Sequence, residues 1–140
     1  MQPSIQVIFG RNNLPFSWLI RIVTWSRWSH CGIVINDKVF EARVFEGVVI
    51  TPLQEFIDRY NKHEIASVPV ADNVPAALDR LSSCIGLPYD YLAAFGVLFR
   101  TGWNNVKAKD CSELVATVCG MFRTERVSRI TPEDIYRISK

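Results

Sequence analysis

The sequence predicts a single α+β domain built on a small antiparallel sheet, and three observations predict it. Short segments of alternating apolar residues are separated by Gly, Asn and Asp. Two of these segments flank Asn36-Asp37, a dipeptide that tolerates the positive φ of a tight hairpin turn. Later segments repeat apolar residues at helical spacing behind capping residues. With 140 residues, 49% of them hydrophobic, the chain can bury one core of ordinary size but not two. No repeat, low-complexity tract or linker divides it, so residues 1–140 read as one domain.

The elements follow in order. Ser4 to Phe9 alternates like a strand, and Gly10-Arg11-Asn12-Asn13 breaks the pattern. Phe16, Leu19, Ile20 and Val23 recur at helical spacing behind Pro15, predicting a helix to about Ser26, and Trp18, Trp25 and Trp28 make this region unusually aromatic. His30 to Ile35 and Lys38 to Phe45 form the hairpin, and Gly47 to Ile50 a third strand. Thr51-Pro52 offers an N-cap and a first-turn proline for a helix to about Tyr60. Ile65 to Val70 completes the sheet.

Pro75 to Ile85 is amphipathic through Leu78, Leu81 and Ile85, and Gly86 suits the left-handed residue that closes a helix. Asp90 to Phe99 is a second, more apolar helix. Asp110-Cys111-Ser112-Glu113 has the form of a capping box, so a helix should start at Cys111 and run through Leu114, Val115, Val118 and Met121. A last helix from Thr131-Pro132 to about Ile138 starts in the same way.

Composition removes several function classes. Sixteen basic and fourteen acidic residues, with no long run of either sign, lack the electrostatic footprint of a nucleic-acid binder. Leu14 to Val23, the longest apolar stretch, is broken by Arg21 and is too short to span a bilayer. The first ten residues lack the basic and apolar regions of a signal peptide, so a cytoplasmic location is expected. Cys31, Cys84, Cys111 and Cys119 are expected to be free thiols. Without a CxxC pair, an HExxH sequence or a Gly-rich phosphate loop, no metal or cofactor is expected.

The chemistry concentrates at three residues. If Asp110 caps its helix, Cys111 lies in the first turn, where unpaired amides and the positive end of the helix dipole favour a thiolate. The same amides could stabilise an oxyanion on an attacked carbonyl. A two-residue turn at Asn36-Asp37 pairs Ile35 with Lys38 and Gly32 with Glu41, which sets His30 diagonal to Glu41 on one sheet face, roughly 7–8 Å apart at the backbone. A three-residue turn would move Glu41 to the other face. Glu41 also stands between Phe40 and Ala42 in a strand that reads as packed, and a charge there needs a partner. Arg43 and Arg21 are alternatives to His30. Together Cys111, His30 and Glu41 match nucleophile, base and orienter. Cys31 should face away from His30, Cys84 and Cys119 sit among apolar helix positions, and His63, between Lys62 and Glu64, reads as solvated.

Several stretches together resemble a known family: Ser29-His30-Cys31-Gly32-Ile33-Val34, Val39-Phe40-Glu41-Ala42, Gly47-Val48, Pro52-Leu53, Gly86-Leu87-Pro88-Tyr89-Asp90 and Cys111-Ser112-Glu113-Leu114. In order and spacing they resemble the circularly permuted NlpC/p60-type proteins, relatives of the lecithin:retinol acyltransferase group, from Phe16 to about Met121. The resemblance implies a permuted papain-like fold, in which the histidine strand precedes the helix that carries the nucleophilic cysteine. It implies that Cys111 attacks an acyl carbon, that His30 moves the proton and that Glu41 orients His30, a third position that varies among His, Asn, Gln and Glu in the superfamily. It implies a cysteine hydrolase acting on an amide or peptide bond, cell-wall peptides included, through an acyl-enzyme. Lipid acyl transfer, (thio)ester hydrolysis and non-catalytic peptide or acyl binding stay open as alternatives. Many relatives carry an aromatic residue where Asp110 stands. Asp110 is therefore either a cap or a contact for a substrate amine, with Tyr89 and Tyr91 as further substrate-binding candidates. The segment Phe16 to Trp28, with Arg21 and Arg27, is either core or a peripheral membrane contact. A bacterial and a phage origin both fit.

Overall fold

The computed structural model describes residues 2–11, 27–43, 46–86, 111–120 and 130–139. The predicted helices at 15–26 and 90–99 lie outside the described residues. The described elements are strands β1 (Ser4–Arg11), β2 (His30–Ile35), β3 (Lys38–Arg43) and β4 (Gly47–Pro52), helix α1 (Leu53–Arg59), strand β5 (Lys62–Pro69), and helices α2 (Val74–Cys84), α3 (Cys111–Cys119) and α4 (Pro132–Ile138). The strands make one five-stranded sheet in the order β4-β3-β2-β1-β5, with every described pairing antiparallel. The chain is therefore α+β with a small antiparallel sheet and helices packed on it.

The hairpin has the expected register, Ile35↔Lys38, Val34↔Val39 and Ile33↔Phe40. Asn36 takes φ 55, which its short polar side chain tolerates better than most.

Three expectations are corrected. Gly10 and Arg11 do not break β1, because β5 pairs with them through Gly10↔His63 and Arg11↔Lys62. Partnering by a neighbouring strand overrides their weak intrinsic preference. Thr51 does not cap α1. It is a buried β4 residue paired with Val39, and Pro52 takes the N-cap position without a side-chain bond. β5 begins at Lys62 rather than Ile65, since this edge strand exposes Lys62 to Ile65 and so shows no alternation to read.

Both faces of the sheet are covered, as strand alternation allows. On one face Val7, Phe9, Cys31, Ile33 and Ala42 pack with Leu114, Val115 and Val118 of α3 and with Leu81 and Ile135. On the other, Ile8, Val34 and Val39 pack with Phe56 of α1. Local capping sets the helix starts: Asn73 accepts from the Ala76 amide, and Thr131 and Asp134 form a capping box. Gly86 lies at φ +86 beyond α2, as expected. Trp28 is buried beside Phe9 and Tyr136, so this end of the aromatic segment is core. Among the described residues no helix is long and apolar enough to cross a membrane.

Candidate functional site

His30 is the first residue of β2 and Glu41 lies in β3. One step beyond Ile33↔Phe40, Gly32 stands opposite Glu41; a Cβ added to Gly32 would lie 3.3 Å from the Cβ of Glu41 and 2.6 Å from Val39 Cγ1. The missing side chain at Gly32 leaves this space to its neighbours. The diagonal approach predicted from the turn is present, with His30 Nε2 2.9 Å from Glu41 Oε1.

Glu41 is completely buried, yet its carboxyl is held down to about 2. Burial opposes the charge, and the hydrogen bond and charge of His30, the Thr51 hydroxyl and the Arg59 guanidinium outweigh burial. An ionised carboxylate can only accept, so His30 Nε2 carries a hydrogen and donates it to Glu41. That leaves Nδ1 for the Cys111 thiol, with which the imidazole is hydrogen-bonded. Burial also opposes the imidazolium, but Tyr60, Cys111 and Glu41 around the ring hold the His30 pKa well above its ordinary value. The ring stacks on Phe56 and Tyr60, with centroids at 5.7 and 5.8 Å.

His30 and Glu41 share the sheet face covered by α1, whereas α3 packs on the other face. Cys111 and His30 are each the first residue of their element, so they meet at the end of β2. Cys111 is buried, with 8% of the residue exposed. Tyr89, Tyr91 and Asp110 lie outside the described residues, as does Arg21. Arg43 pairs with Glu46 at 2.9 Å instead of with Glu41. His63 is exposed. Cys31, Cys84 and Cys119 are buried, and burial, against a smaller opposing effect of Arg80, pushes the Cys119 thiol up to about 12.

Sequence reasoning missed Arg59, whose Nη2 donates to both Glu41 oxygens at 2.8 Å. It also missed Phe56 and Tyr60, which form the shelf under the imidazole, and the role of Thr51. The need for a cation beside Glu41 was readable. Its source was not, because Arg59 reaches β3 only after β4 and α1 have folded back over the sheet.

Cys111, His30 and Glu41 thus form a buried chain of contacts on a five-stranded antiparallel sheet. No protein-family model matches the chain, and no curated protein matches it. Among solved structures it is similar to the crystal structure of metalloprotein yiiX from Escherichia coli O157:H7, a DUF1105 protein. Identity is 24% and the TM-score 0.60, over 84% of this chain and 65% of that one. The chain spans just under two thirds of that protein's chain, and the likeness is one of fold.

Proposed function

We propose that this protein is a cysteine hydrolase of the permuted papain type that cleaves an amide or peptide bond. The observation that carries the reading is the contact of Cys111 with an imidazole whose other nitrogen is fixed by Glu41. In this reading the Cys111 proton passes to His30 Nδ1 and the sulfur attacks the acyl carbon. Backbone amides of the first turn of α3 stabilise the oxyanion, and His30 returns the proton to the leaving amine, giving a thioester. His30 then deprotonates water, which attacks the thioester and releases the acid and the thiol. Glu41 keeps the imidazole in one tautomer and stabilises its protonated form.

The similar yiiX protein is described as a metalloprotein. In this chain no group of three or more His, Cys, Asp or Glu among the described residues is arranged to hold a metal ion. Arg59, bound to both oxygens of Glu41, also puts a cation where an ion would approach. The described residues therefore do not fit a metal, and the proposed steps use none.

The test is the pH profile of iodoacetamide alkylation, read at each cysteine by mass spectrometry in wild type, His30→Ala and Glu41→Gln. Wild-type Cys111 should react well below the range of a free thiol, about 8.5, and His30→Ala should abolish this while Cys119 stays unmodified. Three profiles like that of a free thiol would overturn the hydrolase reading.

A further inference from the structure

The second charged partner of Glu41, beside His30, is Arg59, the last residue of α1. One guanidinium nitrogen, Nη2, contacts both carboxylate oxygens at 2.8 Å, and Oε1 is the same oxygen that accepts from His30. The guanidinium also lies over the Phe56 and Tyr60 rings, at 5.2 and 5.3 Å from their centroids. These are the two rings on which His30 stacks. Arg59 is thus held by the same shelf as the imidazole, at the C-terminal end of a helix, where the dipole favours a cation.

We propose that Arg59 is a positioning residue that keeps Glu41 ionised and aimed at His30 whether or not the imidazole carries a proton. The inference rests on the hydrolase reading for its use but on geometry for its content. During the proposed cycle His30 alternates between imidazolium and imidazole, and in the neutral half a fully buried carboxylate would lose its titrating counter-charge among the described residues. Such a carboxylate would take up a proton and release the ring. Arginine does not titrate in this range. With Arg59 in place, the His30 proton leaves for the substrate's amine rather than for Glu41. The groups facing Glu41 are His30 from β2, Thr51 from β4, Arg59 and Tyr60 from the end of α1, and Cys111 beyond the imidazole.

The experiment follows the Glu41 carboxyl directly by ¹³C NMR titration, in wild type, His30→Gln, Arg59→Lys and Arg59→Gln. In His30→Gln, which has no imidazolium, Glu41 should still be ionised at pH 5. In Arg59→Gln its midpoint should rise by about two units, and below that midpoint Cys111 alkylation should fall about tenfold per pH unit. Arg59→Lys should stay close to wild type. Protonation of Glu41 at pH 5 in His30→Gln, or an unmoved midpoint in Arg59→Gln, would overturn the proposal. The His30→Gln measurement decides it if Arg59→Gln does not fold. If wild-type Cys111 instead alkylates like a free thiol while Glu41 behaves as expected, the hydrolase reading fails and the role of Arg59 in holding Glu41 stands.

Discussion

Glu41 shows how one buried charge ties stability to pH. Its carboxyl is held at about 2 against an ordinary 4.5. Its contribution is therefore fully present above the ordinary value and is lost as the pH falls from there toward 2. By linkage this amounts to on the order of 3 kcal/mol. His30 works in the opposite sense. Its folded pKa is raised above 6.5, so its contribution is present below that value and is lost as the pH rises through the higher folded one. Urea unfolding from pH 2 to 9 should give greatest stability in the mildly acidic range. Glu41→Gln should flatten the acid side and His30→Gln the alkaline side. Unchanged acid sensitivity in Glu41→Gln would mean that other carboxylates set it. At this scale the sequence was informative wherever chemistry is local: His30 and Glu41 are joined by a turn whose register follows from two residues. Arg59 was not legible, because it comes from a helix that the hairpin does not position.

At the scale of elements, the shelf under His30 depends on how closely Tyr60 approaches β1. A Cβ at Gly10 would lie 2.8 and 2.9 Å from Tyr60 Cγ and Cδ2, so the ring rests directly on the strand. Gly10 pairs with His30 in the sheet, so the phenol covers both residues. Gly10→Ala should displace the ring at a cost of about 1–3 kcal/mol, lowering the melting temperature and, on the proposed function, weakening the activation of Cys111 together. A Gly10→Ala protein with wild-type alkylation would show that the stack is not needed. In the sequence the same glycine reads as the end of a strand, since Gly followed by Arg and two Asn carries turn chemistry. Its actual role, close approach of a ring from α1, has no local signature. Thr51 misled for a related reason: Thr-Pro before an amphipathic run is a capping signal, but β3 recruits the threonine into the sheet. Asn73 and Thr131, where no neighbouring strand competes, cap α2 and α4.

At the scale of the molecule, the α+β class and the antiparallel hairpin were legible because period-2 and helical patterns are fixed by which side of each element is buried. How the strands were ordered was not legible: β1 sits between β2 and β5 although β5 is the last of the described strands, and pairing over such separations leaves little mark on either segment. The cysteine helix was legible from its apolar spacing, while its meeting with His30 at the end of β2 depends on the whole sheet. This separation bears on the time course of folding. The His30–Glu41 bond spans 11 residues and belongs to a hairpin that can close within microseconds, whereas the Cys111 contact must wait for slower long-range closure. On the proposed function, until that closure the His30–Glu41 pair and the Cys111 sulfur are apart, and the sulfur should react as an ordinary thiol. In refolding followed by brief iodoacetamide pulses at neutral pH, fast labelling of Cys111 should therefore arise only with the final native signal, so that reactivity of the proposed kind would be confined to molecules that have already finished folding.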